Sequence, residues 1–205
     1  MDKMEKNIMV VKNNMLFKDY PRQTWFYTKE FNFEKIILEN FEYMKRWLAE
    51  ENLDYKQPIP YAILRSSDWK IFMYQRWWKT SQVWEKRLYD KVSFWIGWHV
   101  EEDVKNLQNP LIETLFREIE EEVWVSKNQI LSTQVVGYIN DDTNDVWKVH
   151  FGIVYIINLK DTNLALNKWE LADWKFITIN EAKQLLDNPN VDIENWSKIV
   201  LNSVF

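Results

Sequence analysis

A chain of 205 residues, 46% of them hydrophobic, is long enough for one domain with a sizeable core plus an extension. Its net charge of −5 argues against a nucleic-acid partner, and the lack of cysteine excludes a disulfide framework and a thiolate metal site. The opening MDKMEKNIMVVKNN has no apolar leader core, and no later run approaches the roughly 20 apolar residues of a membrane span, so the expectation is a soluble, cytoplasmic protein without a membrane partner.

In chain order, a short strand is expected over 8–11, followed by a loop. A helix is expected over 33–51, where Ile36, Ile37, Phe41, Met44, Trp47 and Leu48 recur at helical spacing. Residues 1–57 carry no chemical motif and read as an N-terminal strand and helix extension packed on a main domain of residues 58–205. The pattern over 58–76 is a β-hairpin with Asp68-Trp69 at its turn. A polar, basic linker follows, in which Arg76, Lys86 and Arg87 are candidates to meet a phosphate-bearing substrate. A strand over 93–100 leads to a helix over 110–123, for which Asn109 supplies a cap and Pro110 the favoured first position. Strands are expected over 132–139 and 149–159, the second apolar on both faces, as in a central strand. The chain closes on a strand, a helix capped near Thr178 or Asn180, and a final amphipathic helix. Pattern alone gives a fold of α/β or α+β class.

The helix over 110–123 concentrates the chemistry. Leu111, Ile112, Leu115, Phe116, Ile119 and Val123 form its apolar face, while Glu118, Glu121 and Glu122 fall within an arc of about 100°. Three carboxylates so placed repel one another unless a cation sits among them, and an all-oxygen donor set suits Mg2+ or Mn2+. Arg117 precedes Glu121 by four residues and can hold it in place. His99 and His150 are candidates for acid–base or substrate contact, and Asp141 and Asp142 for an outer metal ligand.

Thirteen Trp against 3 Gly inverts ordinary usage. Many of these Trp stand where a turn or a close backbone approach asks for glycine: Trp69 after Asp68, Trp98 after Gly97, Trp124 after the helix, and also Trp147 and Trp174. The hypothesis is that UGA codons read as glycine in the organism have been translated as tryptophan. TGG codons at positions 69, 98 and 124 would overturn it. Trp196, inside an apolar helical pattern, is expected to be a true tryptophan.

The segment Arg117-Glu118-Ile119-Glu120-Glu121-Glu122, followed by Val125, resembles the Nudix box of the Nudix hydrolases. Asn109 stands where that box has its first Glu, the segment after Trp98 is several residues too long, and Trp124 replaces a Gly. With KQPIPYAILR, GYINDDTNDVWKVHFGIVY and ENWSKIVL, nearly the whole chain is similar to the bacterial family of Nudix phosphoesterases, in which Gly-Gly-His precedes the acidic helix and Asn-Pro opens it. The resemblance implies the Nudix fold, a mixed sheet sandwiched between helices. It further implies metal-dependent cleavage of a phosphoanhydride in a nucleoside diphosphate linked to another moiety. It places Mg2+ or Mn2+ on Glu118, Glu121, Glu122 and the backbone carbonyl of position 98, where Trp98 replaces the expected Gly. Arg117 would orient Glu121, and Arg76, Arg87, His99 and His150 would contact the small-molecule diphosphate; a homodimer stays open. Two rival readings remain: a non-catalytic ligand sensor, which would be expected to lose the acids, and a diphosphate isomerase, which would need a cysteine.

Overall fold

The computed structural model describes residues 2–76, 91–104, 107–143, 145–162, 164 and 171–205. Its elements run β1 (Asn7–Lys12), α1 (Asn13–Leu16), β2 (Trp25–Thr28), α2 (Phe33–Asn40), β3 (Glu42–Lys45), α3 (Arg46–Glu51), β4 (Tyr55–Arg65) and β5 (Ile71–Arg76). Then come β6 (Val92–Ser93), α4 (Pro110–Val123), β7 (Ile130–Asn140), β8 (His150–Leu159), β9 (Leu171–Ile177), α5 (Ile179–Leu186) and α6 (Asn195–Ser203). The class is mixed α and β, a large mixed sheet flanked by helices. The chain forms two compact units, one of residues 1–61, 97–117 and 135–155, the other of residues 62–96, 118–134 and 156–205.

In the first unit the strand order is β2-β7-β8-β4-β1-β3. The helix expected over 33–51 is interrupted: α2 stops at Asn40, and β3 pairs antiparallel with β1 from Asn7↔Lys45 to Val10↔Glu42 before α3 begins. Helical spacing loses here to the unpaired edge of β1. Pairing satisfies that row of backbone groups and lets Met44 pack on Ile8, Val10 and Ala49. By contrast β8 is buried along nearly its whole length, as its apolar run predicts, and β7 and β1 extend the expected strands by a residue or two.

Lys56 is among the charged side chains buried in this unit, with Arg46 and Asp141. Lys56, fully buried on β4, donates to Asp142 Oδ1 at 2.7 Å and to the Lys148 carbonyl at 2.7 Å. Burial pushes its ammonium down to about 8 despite that pairing. Burial alone would raise the Asp142 carboxyl, but hydrogen bonds from Arg22 and Lys56 outweigh it and hold the group at about 2. Since the folded value lies below the ordinary 3.8, Asp142 stabilises the fold above about pH 4 and loses that contribution as pH falls toward 2. Lys56 has the same sign at the other end of the range: the unfolded chain binds its proton more tightly, so stability rises with pH between about pH 8 and 10.5. Asp142→Ala strands a buried ammonium and should cost about 3 kcal/mol in urea unfolding, with Lys56→Met in the same chain recovering most of it. A double variant no more stable than the single one would refute this account.

In the second unit β4 turns into β5 with Arg65 opposite Ile71, and β5 also pairs with β6 and β9. The strand expected over 93–100 is short. After β6 the Ala62↔Ile96 bridge continues it, with reciprocal N–H···O bonds of 2.7 and 2.9 Å. α6 is anchored through Glu194, whose carboxylate accepts from Ser93 Oγ at 2.8 Å and from Trp95 Nε1. Trp196 is fully buried beside Trp95, as expected of a true core tryptophan. α5 is capped by Thr178 and Glu181 in a reciprocal box.

The turn tryptophans divide sharply by backbone conformation. Trp69 and Trp124, and also Trp25 at the start of β2, which the sequence pattern did not single out, have φ of 64°, 54° and 117°, and all three side chains are exposed. These are conformations that favour glycine. Trp98, Trp147 and Trp174 do not share them. Near Trp174 the strain falls instead on Asp173, with φ 43°, because β9 carries one extra residue against β5 between the Met73 and Gln75 pairings. Gly97 is required for a different reason: a Cβ there would stand 1.9 Å from the Pro60 carbonyl oxygen. Trp77 and Trp78, which the sequence places in a polar loop where glycine is also expected, lie outside the described residues.

Candidate functional site

α4 spans Pro110–Val123, as its capping signals predict. Asn109 Oδ1 accepts from the N–H groups of Leu111 and Ile112 at 3.1 and 3.2 Å, satisfying two orphan donors. Glu34 ties down the same end, accepting from Asn109 Nδ2 at 3.3 Å and from the Tyr155 hydroxyl at 2.8 Å. Leu111, Leu115, Ile119 and Val123 are fully buried, whereas Ile112 and Phe116 are only half-buried, so the apolar stripe is narrower than the sequence suggests. The helix ends where Trp124 enters the left-handed region, its N–H donating to the Glu120 carbonyl at 3.1 Å.

The acids lie along one rim of that stripe. Glu118 is buried, Glu122 half-buried and Glu121 exposed, so the set grades from interior to solvent over a single turn. All three belong to the second unit. Carboxylate oxygens are the donor type that a hard divalent cation takes. In the first unit, Arg117 Nη1 donates to Asp103 Oδ2 at 3.0 Å. Lys86, Arg87 and the side chain of Arg76 lie outside the described residues. Of the two aspartates offered as outer ligands, Asp142 is engaged by Arg22 and Lys56, and Asp141 Oδ1 accepts from Thr143.

The first unit brings His99 and His150 together, and adds Glu50, which the sequence did not single out. His99 Nε2 and His150 Nε2 are 3.1 Å apart, and Glu50 Oε1 lies 3.7 Å from His99 Nε2. His150 Nδ1 faces the Val146 carbonyl at 2.5 Å. A carbonyl only accepts, so the proton is on His150 Nδ1, its Nε2 is an acceptor, and His99 Nε2–H must donate to it. His99 Nδ1 is then a buried lone pair with no hydrogen-bond partner among the described residues. Burial, then Arg46, His150 and Lys3, hold His99 well below its usual range; burial is also the main cause lowering His150, with Glu50 opposing it. Both rings are therefore neutral at pH 7. Trp98, half-buried next door, carries Lys3 Nζ at 5.1 Å and the Arg46 guanidinium at 5.4 Å from its ring centroid. Nothing local in RWLAEE marks Glu50, because its partners are far away in the sequence.

A large mixed sheet flanked by helices, one of them bearing Arg-Glu-x-x-Glu-Glu, defines the Nudix fold. Tm1382, described as a Nudix hydrolase, superposes with a TM-score of 0.78 at 24% identity over 97% of this chain and 98% of that one. DR0079 from Deinococcus radiodurans gives 0.54 at 15% over 71% and 82%, and the NUDIX domain of Shewanella oneidensis NrtR, complexed with ADP ribose, gives 0.51 at 13% over 72% and 86%. No family model matches the chain. In sequence it is 30% identical to protein YmaB of Bacillus subtilis (strain 168) over 209 residues, covering 98% of both chains, and it belongs to that family. Among the described residues no helix is long and apolar enough to cross a membrane.

Proposed function

We propose that this chain is a metal-dependent hydrolase that cleaves a phosphoanhydride bond in a nucleoside diphosphate linked to a second moiety. The carrying observation is the graded carboxylate set Glu118, Glu121 and Glu122 on α4 of a Nudix fold. A bound Mg2+ or Mn2+ supplies charge neutralisation of the diphosphate and a bound water of lowered pKa. Glu121 and Glu122, on the wet side, hold that ion. Glu118, the most buried of the three, is the favoured general base. Arg117 acts as a positioning residue.

The substrate class is supported by the ADP ribose complex of the Shewanella NUDIX domain, a nucleoside diphosphate joined to a sugar. The test is a panel of nucleoside diphosphate sugars, ADP ribose and dinucleoside polyphosphates with Mg2+, read as phosphate released after phosphatase treatment. Turnover of at least one compound, abolished by EDTA and restored by Mg2+, is expected. Tight binding without turnover across the panel would instead make the chain a ligand-binding module.

A further inference from the structure

We propose that Glu50, His99 and His150 form a second metal site, nitrogen-rich and selective for Zn2+-class ions, separate in its ligands from the acids of α4. The residues come from α3, the segment before α4 and the start of β8, and one ligand atom from each lies within 4.8 Å of the others. Two donors held about 2.0–2.1 Å from a tetrahedral ion stand roughly 3.4 Å apart. The Nε2···Nε2 separation of 3.1 Å and the Nε2···Oε1 separation of 3.7 Å bracket that value. His150 already has the orientation of a bound ligand: Val146 accepts from its Nδ1 and leaves the Nε2 lone pair pointing at the cluster.

Donor chemistry decides which ion fits. Arg46 Nε bonds Glu50 Oε1 at 3.2 Å, and Arg46 and Lys3 lie close enough to act on His99, so the surroundings disfavour a cation bound by charge alone. Two imidazoles bind through nitrogen lone pairs, which favours Zn2+, Co2+ or Ni2+ over Mg2+. Glu50 Oε1 serves the ion, exchanging its 3.2 Å contact with Arg46 Nε for the metal bond. Three protein donors leave a fourth position for water. Binding also requires one proton shift: His99 must move its hydrogen from Nε2 to the partnerless Nδ1.

The test exploits composition. The chain has 2 His and no Cys, so any nitrogen-bound transition metal in the untagged protein reports this site. The full chain is titrated with Zn2+ while the two imidazoles are followed by long-range proton–nitrogen NMR. Both Nε2 resonances should move to metal-bound values at one equivalent, and His99 should convert from the Nε2–H to the Nδ1–H tautomer. The same response should persist in Glu118→Gln/Glu121→Gln/Glu122→Gln. Glu50→Gln should weaken Zn2+ affinity by about tenfold or more, and His150→Gln should abolish the response. Ring spectra unchanged by excess Zn2+, a response lost in the triple α4 variant, or unaltered affinity in Glu50→Gln would each overturn the proposal. Glu50 is partly exposed, so its variant decides even if His150→Gln does not fold.

Discussion

Glu121→Gln and Glu122→Gln should each lower turnover by roughly 100-fold or more, equivalent to about 2.7 kcal/mol of transition-state stabilisation, with excess Mg2+ failing to restore it. The same substitutions should leave the fold intact or slightly firmer. Glu118 and Glu122 stand four residues apart on one helix, and like charges at that spacing destabilise a helix by about 0.2–0.5 kcal/mol, which Glu122→Gln relieves. Activity and stability thus move in opposite directions, as they do where a site holds repelling groups together for function. The measurement is kcat at saturating substrate beside a thermal melt without metal. Unchanged rates in both variants would remove the metal assignment from α4.

Trp25→Gly, Trp69→Gly and Trp124→Gly together should raise the thermal midpoint by roughly 5–10 °C. A left-handed conformation costs an L-residue about 1–2 kcal/mol, and φ of 117° at Trp25 lies where little but glycine is comfortable. Against this stand the Arg65 guanidinium over the Trp69 ring at 4.2 Å, worth about 0.5–1 kcal/mol at an exposed site, and the extra freedom glycine gives the unfolded chain. The three indoles are 47%, 68% and 62% exposed, so little apolar burial is lost. A net gain totalling about 2.5 kcal/mol over the three positions, least at Trp69, at roughly 2–4 °C per kcal/mol for a chain of this size, gives the stated rise. Trp196→Gly is the counter-case: it empties a fully buried site and should destabilise by about 3–5 kcal/mol. A triple variant that melts no higher than the parent would count against glycine at those turns.

Much of this was legible in the sequence because it depends on near neighbours. The cap at Asn109, the helix Pro110–Val123, the apolar run of β8 and the box of Thr178 and Glu181 are set by spacings of a few residues. So is the demand for glycine at positions 69 and 124, since a turn and a helix end fix their own backbone angles. The residue order Arg117-Glu118-x-x-Glu121-Glu122 carried the family resemblance for the same reason.

Contacts between distant segments were not legible. The helix expected over 33–51 broke because β1 needed an edge partner, a requirement invisible within that window. Trp98 looked like Trp69 in sequence, but its backbone is ordinary and the crowding falls on Gly97 against Pro60. Lys56 reads as a routine strand-end charge until Asp142 and Lys148 enclose it. The His99–His150 pair with Glu50 joins three segments that only the folded chain brings within reach. By itself the sequence determined the elements whose signals are local, α4 and β8 among them, together with the Asn109 cap and the order of acids on α4. The tertiary structure alone decided which buried charges and imidazoles found partners, because desolvation and hydrogen bonding act across space rather than along the chain.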